Sequence, residues 1–430
     1  MTVAEPVDVL VIGAGPAGLS AACAARDAGK SVLVVDQAMR AGGQVWRHRD
    51  EGNLPAVARQ WIERSRAAGV RFRLSGRVID GSWPHGLVIE SEAGVEVLRP
   101  AALVIAAGAR ERFLPFPGWT LPGVVGVGGL QALIKNGLDI RGSRVIIAGT
   151  GPLLFPVAAT VARLGGDLLL VAEQATRTHL IDFAARLIAK PSAIRQAIAY
   201  RWRFRKTPLR TGYWVVAAHG DGQLREVTIH GPRGERRVAC DWLAVAAGLI
   251  PNVEIAALLG CTIEAGAVRV DDVQATSVAG VFAAGECTGV KGDDAALAEG
   301  TIAGYAAAGD RNRIAASVRS RRNAGRAFGA AMASTFAPRP ELAALADDDT
   351  VICRCEGVRR GEIDARWSQR QAKLWTRVGM GECQGAVCGP ACGILFGWSA
   401  NAVRPPLGAP VCGAWRAGLT IDDGPRDGTH

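Results

Sequence analysis

Residues 7–36 limit the folds open to this chain more than any other stretch. An apolar run, Val7 to Ile12, ends in Gly13-Ala14-Gly15-Pro16-Ala17-Gly18. A small-residue helical stretch, Leu19 to Ala28, follows, and a second apolar run, Ser31 to Val35, ends at Asp36. This is a βαβ unit with a glycine-rich loop at its first turn. Each glycine has a physical task. Gly13 permits the tight turn, Gly15 lets a pyrophosphate approach the backbone, and Gly18 lets the helix pack on the strand. The helix N-terminus, opened by Pro16 and Ala17, attracts phosphate. Asp36, 18 residues past Gly18, can accept hydrogen bonds from ribose hydroxyls. A dinucleotide site is the expectation.

A second βαβ begins at Arg144-Val145-Ile146-Ile147, turns at Gly149-Thr150-Gly151-Pro152 and returns along Leu168 to Val171, ending at Glu173. It departs from the first copy at one position. Leu154 stands where the third glycine belongs, so helix–strand packing is expected to be looser there. Glu173 stands where a ribose partner would. Room for a second nucleotide, NAD(P) or an adenine nucleotide, is therefore left open, beside a retained fold with an empty or partner-facing cleft.

The cysteines add a third constraint. Of ten, six fall between residues 353 and 412, which marks a separate C-terminal module. Cys353-Arg354-Cys355 can present two thiolates to one side, because residues i and i+2 of an extended chain share a face. After 27 residues, Cys383 and Cys388 can supply two more. Gly379, Gly381, Gly385 and Gly389 permit turns that aim N–H groups at sulfur. Four thiolates suit a [2Fe–2S] cluster or a structural zinc ion. Cys392 and Cys412 are left over. Cys23, Cys240, Cys261 and Cys287 are scattered and read as buried structural thiols.

Composition excludes other classes. With 430 residues, 49% hydrophobic and 21% charged, the chain is globular and long enough for roughly three domains. Two uncharged stretches, Phe113 to Ile134 and Val145 to Ala162, imitate membrane spans. The first holds three prolines and five glycines, and the second contains the glycine turn at 149–152. No transmembrane segment is expected. Glu5 and Asp8 precede an immediate strand, so no secretory signal is expected either, and the expected compartment is the reducing cytoplasm. Net charge is +10. Arg186 to Arg210 holds eight basic residues and Arg311 to Arg326 six, neither with an acidic one. No nucleic-acid motif accompanies them, so the expectation is a solvated helical face or a surface that docks acidic partner subunits, with Arg201, Arg203 and Arg205 as test positions. The six histidines (48, 85, 179, 219, 230, 430) form no acid–base constellation, and no catalytic residue can be named.

Ala106-Ala107-Gly108, Ala246-Ala247-Gly248 and Gly280-Val281-Phe282-Ala283-Ala284-Gly285-Glu286 complete a set that resembles the two-dinucleotide-binding flavoproteins of glutathione- and thioredoxin-reductase type over residues 5–310. The resemblance implies FAD held by Gly13, Gly15, Pro16, Ala17, Gly18, Asp36, Gln37, Gly43, Gln44, Arg47, Val78, Ala107, Gly108, Gly285 and Glu286. The usual residue at 286 is Asp. The second nucleotide would fall to Gly149, Gly151, Pro152 and Glu173. Redox-disulfide chemistry does not carry over, because Gly42-Gly43-Gln44-Val45-Trp46-Arg47 contains no Cys. The C-terminal run Val351 to Glu356 with Thr376 to Gly385 is similar to the [2Fe–2S] domain of bacterioferritin-associated ferredoxin, which implies cluster ligation by Cys353, Cys355, Cys383 and Cys388.

The fold class expected is therefore α/β. Two nested Rossmann-like domains of glutathione-reductase type precede a small helical [2Fe–2S] domain. The FAD domain is expected over 1–115 and 249–310, and the second dinucleotide domain over 116–248 with a basic helical insertion at 176–208. A connector follows at 311–348, then the cluster domain at 349–410 and a tail at 411–430. With Arg110-Glu111-Arg112, Pro115-Phe116-Pro117-Gly118-Trp119 and Leu121-Pro122-Gly123-Val124, nearly the whole chain resembles the α or A subunits of opine oxidases, D-hydroxyproline dehydrogenases and hydrogen cyanide synthases. That resemblance implies an electron-relay component of a complex that oxidises CH–NH donors. Its partners would be an amino-acid-oxidase-like flavoprotein β subunit, together with a small ferredoxin-like γ subunit. Peripheral membrane attachment through the complex is a further expectation. Two other readings stay open. One is a self-sufficient NAD(P)H-dependent reductase of a ferredoxin-like acceptor, and the other a non-redox scaffold with structural zinc.

Overall fold

The computed structural model describes residues 7–49, 52, 54–187, 191–398 and 403–408. The expected tail, with Cys412 and His430, lies outside them. The chain divides into two compact units, one built from Met1–Ala109, Pro251–Arg326 and Ala402–His430, the other from Arg110–Ile250 and Ala327–Asn401.

The first unit is organised by a parallel sheet of five strands. Val9–Ile12 is central, paired in register with Val32–Val35 on one side and Ala102–Ile105 on the other. Arg71–Arg73 and Val281–Ala283 form the edges. The inner strands are buried on both faces, which is why they read as unbroken Val/Ile/Leu runs instead of alternating. Helix Pro16–Asp27 packs against helix Asp293–Ala307 through small residues. A Cβ on Gly300 would strike the Ala17 carbonyl, and one on Gly304 the Ala21 carbonyl. This close approach explains the Ala/Gly-rich sequence of both helices. An antiparallel meander, Arg77–Ser82, Gly86–Ser91 and Gly94–Leu98, completes the unit.

The second unit repeats the plan. Arg144–Gly149 is central, between Asp167–Glu173 and Trp242–Ala246, with Leu209–Thr211 and Val124–Gly126 at the edges. One face carries helices Val127–Lys135, Leu154–Arg163 and Pro191–Arg203. The other packs an antiparallel meander of Trp214–His219, Glu226–Gly231 and Gly234–Ala239. The basic insertion is two helices, Arg177–Arg186, capped by the Thr176 hydroxyl, and Pro191–Arg203.

The cysteine module folds within this second unit. Val351–Cys353 pairs antiparallel with Val358–Arg359, and helices Gln369–Thr376 and Cys388–Phe396 follow. Its own small core includes Ile352, Val358, Ile363, Ala372 and Val378.

The stretch read as a connector, 311–348, differs from expectation. It contains a 20-residue helix, Ala316–Thr335. Its arginines stand among strong helix formers, and Gly325 lets it lie against Ala295, where a Cβ would have no room. The basic character of the stretch is also partly internal. Arg322, 4% exposed, donates to the Asp272 carbonyl at 2.8 Å and pairs with its carboxylate at 3.1 Å. Arg313 donates to the Asp27 carbonyl at 2.7 Å. In the other basic segment Arg201 turns inward to the Phe204 and Thr207 carbonyls, at 2.9 and 3.5 Å. The docking surface expected from charge counting therefore loses these arginines, which serve the fold.

Candidate functional site

The first glycine loop has the geometry of a phosphate cradle. Gly13 has φ +107° and faces the Ala106 carbonyl so closely that no Cβ fits, and a Cβ on Gly18 would strike the Gly13 carbonyl. Gly15 is the N-cap of helix Pro16–Asp27 and has no side chain to cap its first-turn N–H groups. Those donors point out of the loop with the positive end of the helix dipole behind them. Asp36, half-buried, accepts from the Ala14 N–H at 2.6 Å and the Ala38 N–H at 2.7 Å. This fixes the carboxylate at the end of its strand beside the loop. Gly43, at φ +61°, lies against Gly15. Gln37 and Gln44 are exposed, and Arg47 donates to Gln44 Oε1 at 2.9 Å. Gly108 takes φ +70°, and the Ala107 carbonyl accepts from the Asn252 amide at 2.8 Å. Val78 is a buried core residue, 7% exposed, in the antiparallel meander.

The third motif holds a group that the sequence does not announce. Gly285, at φ +80°, donates its N–H to Glu299 Oε2 at 3.0 Å. Glu299 is fully buried and pairs with Lys291, which also donates to the Thr288 hydroxyl at 2.9 Å. This buried ion pair locks the turn that presents Gly285 and Glu286. The one signal was a glutamate inside the Ala-rich helix Asp293–Ala307, where an unpaired charge would be costly. Burial, with Asp293 adding to it and Lys291 opposing, raises the Glu286 carboxyl to about 6. The scattered cysteines behave as expected. Burial pushes Cys23 up to about 11, and Cys240 and Cys287 up to about 12.

The second glycine loop is built alike but differs in two respects. Its helix, Leu154–Arg163, begins two positions later than the first copy's, with Leu153 as N-cap. Leu154 is fully buried in the helix-side core, so the looser packing expected from the missing glycine is met by a later helix start and a filled core. Glu173 closes its strand as expected and accepts from the Gly151 and Ala175 N–H groups, both at 2.9 Å. It is only 3% exposed, and burial raises its pKa against the pull of those N–H groups. Pro152 is exposed.

The four expected cysteine ligands are neighbours of one another. Cys355, exposed, bonds Cys383, half-buried; the Cys383 main-chain N–H favours its thiolate, but desolvation and the thiols of Cys383 and Cys353 outweigh this and push it up. Burial pushes Cys388 up, and its thiol neighbours Cys353, Cys392 and Cys383 add to that. Cys392, one turn on in helix Cys388–Phe396, is buried and raised to about 12. Among the described residues no group of three or more His, Cys, Asp or Glu side chains is arranged to hold a single metal ion. Gln384 and Gly385, at φ +49° and +78°, turn the loop between Cys383 and Cys388. Both cysteine-bearing loops are fastened to one stretch. Trp119 Nε1 donates to the Val351 carbonyl at 2.6 Å, Arg354 lies 5.6 Å from the Trp119 ring centre, and Arg110 Nε donates to the Ala386 carbonyl at 3.0 Å.

Comparison with known proteins places this architecture. Residues 7–311 match the pyridine nucleotide-disulphide oxidoreductase family. The chain is 31% identical to the HcnB component of hydrogen cyanide synthase from Pseudomonas aeruginosa, covering 96% of each chain. It is 33% identical to the A subunit of opine oxidase from Rhizobium meliloti, covering 89% of this chain and 90% of that one. Among solved structures, L-proline dehydrogenase from P. horikoshii superposes with a TM-score of 0.66 at 17% identity, over 95% of this chain and 79% of the other. No described helix is long and apolar enough to cross a membrane. The chain belongs to the pyridine nucleotide-disulphide oxidoreductase family and is an FAD-dependent oxidoreductase, with relatives over nearly its whole length among the subunits of hydrogen cyanide synthase and opine oxidase.

Proposed function

We propose that the chain is the electron-relay subunit of a heteromeric amine, opine or D-hydroxyproline dehydrogenase, carrying FAD on the first glycine loop and a [2Fe–2S] cluster on the cysteine module. The observation that carries this reading is the gathering of Cys353, Cys355, Cys383 and Cys388 as neighbours on a chain that also bears an uncapped glycine loop of phosphate-cradle geometry. A mononuclear zinc ion needs four thiolates converging on one point. Four neighbouring thiolates also suit a two-iron cluster, where each iron takes two. When bound, FAD accepts an electron pair and the cluster passes electrons singly, so together they convert two-electron oxidation into one-electron flow.

The chain's own residues do the holding. Gly13 and Gly15 let the pyrophosphate reach the main chain, and the first-turn N–H groups of helix Pro16–Asp27 bind it. Asp36 takes the ribose. Gly285 and Glu286 are presented by a turn that Glu299 and Lys291 lock. Arg110 and Trp119 hold the two cysteine loops in place. Amine oxidation falls to a partner amino-acid-oxidase-like flavoprotein β subunit, with a small ferredoxin-like γ subunit beside it, and the complex works in the cytoplasm. The relatives' names as subunits support a multi-chain assembly.

The test is to purify the chain anaerobically and assay FAD, iron and acid-labile sulfide. One FAD with iron and sulfide in equal amounts is expected, with flavin and cluster bands in the visible spectrum. Zinc in place of iron, or a chain that holds neither metal nor flavin, would overturn the reading.

A further inference from the structure

The two glycine loops share a design but not an exposure. Gly13 and Gly15 of the first are half-open, whereas Gly149, Thr150 and Gly151 of the second are all buried. So are Glu173, at 3% exposure, which ends the neighbouring strand, and Gln174, at 1%, just past it. On Thr150 and Gln174 lies the chain itself. Just past helix Ala316–Thr335, the Phe336 carbonyl meets the Thr150 hydroxyl at 3.5 Å. Gln174 Nε2 donates to the Ala337 carbonyl at 3.1 Å, and the Arg339 N–H returns a bond to Gln174 Oε1 at 3.2 Å. The Gln174 amide thus pairs with the segment as a neighbouring strand would. The ends of the segment are pinned by rings: Phe336 packs edge-on against Phe183, with centres 5.0 Å apart, and the Arg339 guanidinium lies 4.4 Å from the Trp214 ring centre.

We infer that the segment Phe336–Arg339 fills the second dinucleotide cleft and is the specificity element that denies this chain a nicotinamide cofactor. The place where a dinucleotide enters this fold is the carboxyl end of the central strands, over the glycine loop and the strand-end acid. Here that place is taken by main chain bonded to Thr150 and Gln174. A cavity beside this place, lined by Gly149, Gln174, Trp214, Ala246 and Leu345 among others, has a volume of about 40 Å³. A dinucleotide needs a pocket of several hundred Å³. The set-back start of helix Leu154–Arg163 removes first-turn donors from the loop as well, so exclusion has two separable sources. The inference is independent of the relay reading, because NADH binding is measured whether or not the chain holds iron.

The experiment titrates the flavin-loaded full chain with NADH by calorimetry up to about 1 mM, the weak end of usual nucleotide affinities. It compares wild type, Gln174→Ala with Arg339→Ala, and Leu154→Gly. No binding to wild type and at least a tenfold gain in the double variant, with the flavin spectrum retained, is the expected result. Binding to wild type would overturn the inference. So would a double variant as inert as wild type, or a gain confined to Leu154→Gly. If the double variant fails to fold, amide exchange decides. In wild type the Arg339 N–H must be protected and unchanged by NADH, and fast exchange there, or a change on adding NADH, would sink the proposal.

Discussion

Trp119 donates its indole N–H to the Val351 carbonyl at 2.6 Å, tying its own loop to the strand that leads into Cys353. Trp119→Phe keeps an aromatic face for Arg354 and removes the donor. Leaving a half-buried carbonyl without this bond should cost about 1 kcal/mol in urea unfolding. It should also speed amide exchange over residues 351–355. An unchanged exchange pattern would mean that the module is held by its other contacts.

Gly15 and Gly18 should separate binding from folding. A Cβ at Gly15 meets only Gly43, at 3.8 Å, so Gly15→Ala should fold normally while binding FAD at least tenfold more weakly, because the methyl stands where pyrophosphate approaches. A Cβ at Gly18 strikes the Gly13 carbonyl, so Gly18→Ala should lose about 1–3 kcal/mol of stability. Thermal melts and flavin titration of both variants check the contrast.

Lys291 neutralises a carboxylate that has no access to water. Lys291→Met strands that charge and should destabilise the chain by about 3 kcal/mol. Adding Glu299→Gln should restore most of the loss, since an amide oxygen can still accept from Gly285 and Thr288. Chemical denaturation of the single and double variants measures the recovery.

The raised carboxyl of Glu286 makes a pH prediction for the flavin-free chain. A carboxyl with a pKa of about 6 folded and 4.5 ordinarily holds its proton more tightly in the folded state. Stability is therefore lost as pH rises from about 4.5 through 6, by up to about 2 kcal/mol at 1.36 kcal/mol per unit. Glu286→Gln lacks this titration. Its stability relative to wild type should rise by that amount between pH 4.5 and 7, and a pH-independent difference would refute the assignment.

Cysteine substitutions should divide by role. Serine at Cys353, Cys355, Cys383 or Cys388 should each remove most of the iron and the visible cluster bands. Cys392→Ala, although Cys392 is as buried as Cys353, should keep both and lose only about 1 kcal/mol from the small cavity. Iron assays and visible spectra of the five variants distinguish ligands from packing.

Much of this protein is local and therefore legible in its sequence. The glycine loops, the apolar strands they end and the acids that close the next strands lie within about thirty residues of one another, so spacing alone places them. The same holds for Cys353 with Cys355 and Cys383 with Cys388. Lys291 with Glu299 was legible only as a charge in an apolar helix, and the partner had to come from the fold. The basic segments misled in part, because charge counts do not say which arginines reach carbonyls such as those of Phe204 and Asp272.

The pair of βαβ units, the first glycine loop and the cysteine cluster follow from the amino-acid sequence, since backbone geometry at glycine and side-chain chemistry at cysteine act over short range. What the second glycine loop faces follows only from long-range packing. Thr150 and Phe336 are 186 residues apart, and Gln174 and Ala337 are 163 apart. No local pattern encodes such contacts, because the partners meet only once the chain between them has folded.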